Sequence, residues 1–163
     1  MRILQLCCFT NLWSADHEVE SIDLKNGMNV FNLPDDYGKS FDLVCASPYC
    51  RQFTRASAWM WKEYPDNDIQ LVKKCLTLCL STGKFWFLEN PPGRIEFFIP
   101  ELKKYRIVVW TGSISGKQYV VYGNFVLLTP GYRRKLGIPY PRKKELREAW
   151  QSDFISTIQM FVS

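Results

Sequence analysis

The sequence predicts an α/β fold built on a mostly parallel sheet, with a C-terminal β-hairpin and flanking helices. Three observations predict it. The apolar run Phe41–Ala46 stops abruptly at Ser47-Pro48. An amphipathic stretch begins at Asp66 or Asn67 and runs to Gly83, with Ile69, Val72, Leu76, Cys79 and Leu80 recurring on one face at helical spacing. A second apolar run, Phe85–Leu88, comes next and ends in Glu89-Asn90-Pro91-Pro92-Gly93. Two buried strands joined by a helix, each delivering polar side chains onto a rigid turn, are how an open α/β sheet builds a site at its carboxyl edge.

Arg2–Phe9 is an apolar strand at the start of the chain. His17–Leu24 alternates weakly through Val19, Ile22 and Leu24 and reads as a second strand. Asn26-Gly27 is a turn signal. Asn29–Leu33 is expected as a short strand, followed by a loop at Pro34–Gly38. Arg51–Pro65 sets Trp59, Trp61 and Tyr64 among basic and polar residues. It is either a packed flap or a stacking platform for bases. Pro91-Pro92-Gly93 reads as a rigid turn aiming Asn90 and Arg94. Tyr105–Trp110 and Tyr119–Leu128 are β-rich and joined by a short Gly-containing loop, as in a hairpin. A basic loop from Arg133 to Lys144 is either a solvated face or a phosphate contact. A final amphipathic helix over 144–161 turns Leu146, Trp150, Phe154, Ile158 and Phe161 inward.

A chain of 163 residues predicts one domain with a real core, taken here as residues 1–163. A 47% hydrophobic and 15% aromatic composition excludes a disordered chain. A net charge of +5 permits a polyanionic partner without demanding one. No run of about 18 apolar residues exists, and Arg2 is followed by no long apolar segment, so neither a membrane span nor a signal peptide is expected. Cysteines occur at 7, 8, 45, 50, 75 and 79, without a CxxC pair and with His17 as the lone histidine, so no metal site is expected. Most sit in apolar runs, which suits reduced thiols and a cytoplasmic protein. Cys75 and Cys79, one helical turn apart, read as core packing. A disulfide at Cys7 or Cys8 stays open.

Cys50 and Glu89 are the reactive pair. A thiol nucleophile and a carboxylic acid suit covalent chemistry on an electron-poor ring. The alternatives are a buried structural thiol at Cys50, a Glu89 paired with a local cation such as Arg94, and a solvated turn residue at Asp23.

Asp42-Leu43-Val44-Cys45-Ala46-Ser47-Pro48-Tyr49-Cys50 resembles the strand and Pro-Cys turn of DNA cytosine-C5 methyltransferases, with Tyr49 where the usual motif has a second proline. Phe87-Leu88-Glu89-Asn90-Pro91 is similar to the Glu-Asn element of that family, and Lys117–Phe125 to the late turn and strand of its compact viral and phage members. The resemblance covers most of residues 1–130. It implies a reduced Rossmann-like methyltransferase sheet and methyl transfer from S-adenosylmethionine to C5 of a flipped-out cytosine in DNA or another nucleic acid. Cys50 is then the nucleophile that adds to C6, and Glu89 the partner of N3. Ser47, Pro48, Arg51, Asn90, Arg94 and Lys117 line the base or phosphate site. The cofactor loop is Phe9, Thr10, Asn11 and Trp13, with Asp23 for the ribose and Leu24 beside it. The chain departs from the family where small residues normally let the backbone approach the cofactor: Phe9 and Asn11 stand there. Only Thr10–Asp16 separate the first two expected strands, so the first helix shrinks to about one turn or is absent. The stretch after Phe125 is too short for a separate target-recognition domain, so sequence specificity has to come from loops or a partner subunit. These departures also support an alternative: a catalytically degenerate methyltransferase fold acting as a nucleic-acid-binding or protein-interaction module.

Overall fold

Parallel neighbours in a sheet need a long connection, and antiparallel ones only a short turn. Both kinds occur in the computed structural model, which describes residues 1–7, 17–50, 53, 66–111 and 118–125. The strands are β1 (Arg2–Leu6), β2 (Glu18–Ile22), β3 (Leu43–Ala46), β4 (Phe85–Asn90), β5 (Arg106–Thr111) and β6 (Gln118–Gly123). They form one sheet in the order β2-β1-β3-β4-β6-β5. β2, β1, β3 and β4 pair in parallel. β6 runs antiparallel to both β4 and β5, so β5 shares the direction of the first four. The sheet is therefore mixed but mostly parallel, with β5 and β6 as the expected C-terminal hairpin.

The central strands are buried on both faces, which is why they read as unbroken apolar runs. Leu4, Leu6, Val44, Ala46, Trp86, Leu88, Val120 and Tyr122 point to one face and join the larger core cluster. Ile3, Leu43, Cys45, Phe87, Tyr119 and Val121 point to the other and form a second cluster. Helix α1 (Asp66–Ser81) covers the first face, burying Ile69, Val72, Cys75, Leu76, Leu78 and Cys79. Asp66 and Asp68 in its first turn suit the positive end of the helix dipole. Gly38 lets α1 come close: a Cβ there would lie 2.3 Å from the Leu78 carbonyl oxygen and 2.5 Å from Ser81 Oγ. A single helical turn, α2 (Ile95–Phe98), and a 3-10 segment at Pro100–Tyr105 lead from β4 into β5.

Several expectations need correction. Asn29–Leu33 is not a strand. Asn29 caps a 3-10 turn over Val30–Asn32, its side chain accepting from the Phe31 N–H, and the Leu33 N–H closes back on the Val30 carbonyl. Leu80 is not on the inward face but 45% exposed, while Leu78 is buried in its stead; Cys75 and Cys79 are buried as core residues, as expected. β1 stops at Leu6 rather than Phe9, because Cys7 turns to a positive φ of 57°. β2 stops at Ile22, because Asp23 caps a 3-10 turn over Leu24–Asn26. β1 and β2 are thus separated by residues 7–17, close to the dozen a parallel connection requires. β6 ends at Gly123, short of Leu128. The segment 51–65 apart from Phe53, the loop at 8–16, the basic loop and the helix expected over 144–161 lie outside the described residues. Among the described residues no helix is long and apolar enough to cross a membrane.

Candidate active site at the carboxyl edge of the sheet

The register of β3 on β4 pairs Ala46 with Leu88, so the next residues, Ser47 and Glu89, face each other where the two strands end. Ser47 Oγ donates a hydrogen bond to Glu89 Oε1. Glu89 is 6% exposed and sits inside β4, not on the turn after it. Alternation along the strand puts it on the face of Phe87, beside Val121 of β6. Asn90, fully buried, points the other way and donates from Nδ2 to the Pro48 carbonyl at 3.3 Å. No hydrogen bond reaches its Oδ1 among the described residues. The Ser47 N–H donates to the Leu6 carbonyl at 3.0 Å. The Ser47-Pro48 turn is therefore tied to β1 and β4 at once.

Cys50 comes next on that turn and is half-buried. Its carbonyl accepts from the Phe53 N–H at 3.0 Å, and the Phe53 carbonyl accepts from the Arg94 N–H at 2.8 Å. Phe53 is fully buried, with its ring centroid 6.0 Å from that of Phe98. The Arg94 guanidinium lies over the same ring, 5.2 Å from the Phe98 centroid, and 5.8 Å from that of Phe97. The backbone of the Cys50 turn is thus pinned to the segment that leaves β4, and the nucleophile candidate and the acid candidate share one edge.

A cavity of about 410 Å³ lies on the α1 side of the same edge; it shares Tyr49 with the Cys50 turn, and Ser47, Cys50 and Glu89 are not among its lining residues. Its wall is built by Cys7 after β1, by Ile22, Asp23, Leu24 and Lys25 at the end of β2, by Tyr49 after β3, and by Asn67, Asp68 and Leu71 from the first turns of α1. The chain runs from β1 out to β2 and returns on the other side of β1 to β3. The strand order reverses there, which is where open α/β sheets leave a crevice for ligands. The mouth is apolar: Leu24 is 76%, Phe31 49%, Tyr49 45% and Met28 42% exposed. Its acids differ. Asp23 accepts from the Lys25 N–H at 2.9 Å. Asp68 has a buried Oδ2 that no hydrogen bond reaches among the described residues, and burial pushes its carboxyl above the usual carboxylate range.

Of the expected site residues, Ser47, Pro48, Cys50, Glu89, Asn90 and Arg94 come together at the ends of β3 and β4, and Asp23 and Leu24 line the cavity. Phe9, Thr10, Asn11, Trp13, Arg51 and Lys117 lie outside the described residues. Sequence reasoning misses Cys7, Tyr49, Asp68 and Leu71 as site residues. Tyr49 adjoins Cys50, and Asp68 and Leu71 fall on the first turns of the helix that leads from the Pro-Cys turn to β4, which is the signal that could have found them. Among the described residues no group of three or more His, Cys, Asp or Glu side chains could hold a metal ion. No protein-family model matches the chain, and no curated protein matches it at a significant level.

Proposed function

We propose that this protein is a compact, viral- or phage-like DNA cytosine-C5 methyltransferase on a reduced Rossmann-like sheet. One observation carries the reading: Ser47 is bonded to Glu89 across the ends of β3 and β4, which brings the Cys50 turn and the buried carboxyl to one edge. Supporting it are the five codirectional strands with one reversed, and the cavity at the reversal of strand order.

The cavity suits a nucleoside-bearing cofactor by size and chemistry. Asp23 would hold the ribose hydroxyls, Leu24 and Phe31 would lie against the base, and Asp68 offers an unanswered acceptor. Bound S-adenosylmethionine would supply an electrophilic methyl group. The chain's own residues do the rest. The Cys50 thiolate adds to C6 of the cytosine while Glu89 holds a proton at N3, so that the electron pair displaced from the ring collects at C5. After C5 is methylated a water takes the C5 proton, the freed electron pair re-forms the C5–C6 double bond as the C6–S bond breaks, Cys50 leaves as thiolate, and the N3 proton returns to Glu89. Ser47 keeps the carboxyl oriented through both steps. The ring face must be reached from outside the stack, so the base is flipped. The net charge of +5 is compatible with a polyanionic partner such as DNA, and target choice falls to loops or a partner subunit. None of the described cysteines is in a disulfide, and we assign the protein to the cytoplasm, that of the host for a viral protein.

A 5-fluorocytosine duplex tests this, because fluorine at C5 cannot leave as a proton and the adduct persists. With S-adenosylmethionine present, the wild type should give a covalent complex on a denaturing gel, and Cys50→Ser should give none. A folded wild type that forms no adduct yet retards the duplex on a native gel would overturn methylation. The degenerate shell that binds nucleic acid, favoured by Phe9 and Asn11 in the cofactor loop, would then stand.

A further inference from the structure

The segment that leaves β4 carries an exposed aromatic ring held in a fixed place. Phe97, in the single turn α2, is 71% exposed, while Phe98 beside it is half-buried. An isolated exposed apolar side chain is ordinary and needs no partner. Phe97 differs because its surroundings hold it. Its ring stands edge-on to that of Phe98, with centroids 5.3 Å apart and planes at 83°. Phe98 in turn packs against the fully buried Phe53. The Arg94 guanidinium lies over both exposed-side rings, 5.8 Å from the Phe97 centroid and 5.2 Å from that of Phe98. No carboxylate pairs with Arg94 among the described residues. Glu96, the acid nearest to it in sequence, is taken by Arg106 and by the Tyr122 hydroxyl. A ring and an unneutralised planar cation thus stand side by side at the surface. They adjoin the Cys50 turn, because the Arg94 N–H donates to the Phe53 carbonyl at 2.8 Å and the Phe53 N–H to the Cys50 carbonyl at 3.0 Å.

We propose that Phe97 and Arg94 form a stacking platform for one unpaired base of a nucleic-acid strand, with the adjoining phosphate on the Arg94 guanidinium. Every base has a π-face, so a phenyl ring accepts any of them without reading sequence. A guanidinium grips a phosphate through paired N–H groups while its own face rests on an aromatic ring. Phe98 anchors both groups to the core through Phe53, so binding orders little that is not already ordered. A base inside a duplex has both faces covered by its neighbours, so the platform selects single strands or nucleotides left unpaired. A protein partner could cover Phe97 as well, but the cation beside the ring complements a polyanion better than an apolar surface. Lys103 and Lys104, exposed on the 3-10 segment between α2 and β5, add positive charge for further phosphates. The proposal rests on the nucleic-acid part of the function proposed above, and not on methyl transfer. On that reading the platform holds a base of the stretch that flipping opens beside the Cys50 turn.

Fluorescence anisotropy with a labelled oligothymidylate, and with the same strand paired to oligodeoxyadenylate, tests it. Neither probe contains cytosine, so binding is read apart from the Cys50 chemistry. Phe97→Ala should weaken single-strand binding about tenfold, as expected for losing one base–aromatic stack, and leave duplex binding unchanged. Phe97→Trp should bind the single strand at least as tightly as the wild type. Arg94→Gln should make log K fall less steeply with log salt, by about 0.7, the share of one phosphate on a single strand. Phe97 lies mostly outside the core, so its variants should keep the wild-type thermal midpoint. If the wild type binds the single strand and Phe97→Ala binds it equally, or loses the same factor on strand and duplex, the platform alone is overturned. A wild type that binds neither probe overturns the platform and the nucleic-acid reading together. If that wild type also sediments as a dimer that Phe97→Ala dissolves, the ring is a contact between copies of the chain instead.

Discussion

At the scale of single residues, the least conspicuous side chain of the site has the clearest structural job. Cys50 and Glu89 announce themselves by type and by the turns that end the two apolar runs. Ser47 reads only as part of a Ser-Pro turn, because nothing local in the sequence says which residue of β4 it will face. The register Ala46–Leu88 decides that, and makes Ser47 the hydrogen-bond donor to Glu89. Arg94 shows the opposite case. Its charge invites an ion pair with Glu89, yet it stacks on Phe97 and Phe98, and its backbone carries the contact to Phe53. If Ser47 acts by holding the carboxyl, two substitutions should differ in degree. Glu89→Gln removes the acid and should slow adduct formation on the 5-fluorocytosine duplex by about 10²–10⁴-fold. Ser47→Ala leaves the acid but frees it, and should cost about tenfold, the worth of one hydrogen bond to a charged group. Ser47→Thr should recover most of that loss. Equal rates for Ser47→Ala and wild type in a single-turnover assay would remove Ser47 from the mechanism.

At the scale of elements, the βαβ core of β3, α1 and β4 is legible in the sequence because its three parts are contiguous and each carries its own period. The edges are less so. Asn29–Leu33 has an apolar composition that passes for a strand, but the Asn29 side chain satisfies a backbone N–H locally and bends the chain into a 3-10 turn. Leu80 falls near the apolar stripe of α1, yet the helix has reached its last turn and the residue leaves the sheet. Gly38 reads merely as part of a loop. It is where the 3-10 segment Tyr37–Ser40 meets the carbonyl end of α1. Added bulk there meets backbone, which cannot rotate away. Gly38→Ala should therefore destabilise the fold by about 1–3 kcal/mol, the range for overpacking. Gly83→Ala, with nothing within 4 Å of the new methyl, should stay within about 0.5 kcal/mol of wild type. Urea midpoints of the two variants give the comparison, and equal midpoints would mean that α1 shifts at little cost.

At the scale of the whole molecule, the strand order is not legible in the sequence. The placement of β6 between β4 and β5, and of β1 between β2 and β3, depends on pairings far apart in sequence that leave no local mark. Yet that order creates the cavity, and the cavity bears on the stability of the entire chain. Two acids away from it help the fold. Hydrogen bonds from Lys84 and the Arg2 N–H hold the Asp42 carboxyl below its usual range. Burial would raise Glu96, but Arg106 and Tyr122 outweigh it and hold Glu96 low. Groups depressed in this way stabilise the folded state above the ordinary carboxylate range, and the contribution fades as pH falls through their folded values. Asp68 has the reverse sign. Its raised pKa means that the folded state is penalised once pH exceeds the carboxyl's unfolded value, about 3.9, with the full penalty present above the folded one. An unanswered carboxylate on a cavity wall is a local loss of stability that a ligand's donor can offset. Asp68→Asn should therefore raise the thermal midpoint at pH 7. The gain should shrink as pH falls and vanish near pH ~3, below the unfolded carboxyl's range. In the same protein, calorimetric affinity for S-adenosylmethionine should drop about tenfold, as expected for losing a hydrogen bond to a charged group. A variant stabilised at pH 7 with unchanged affinity would show that the strain at Asp68 serves no ligand.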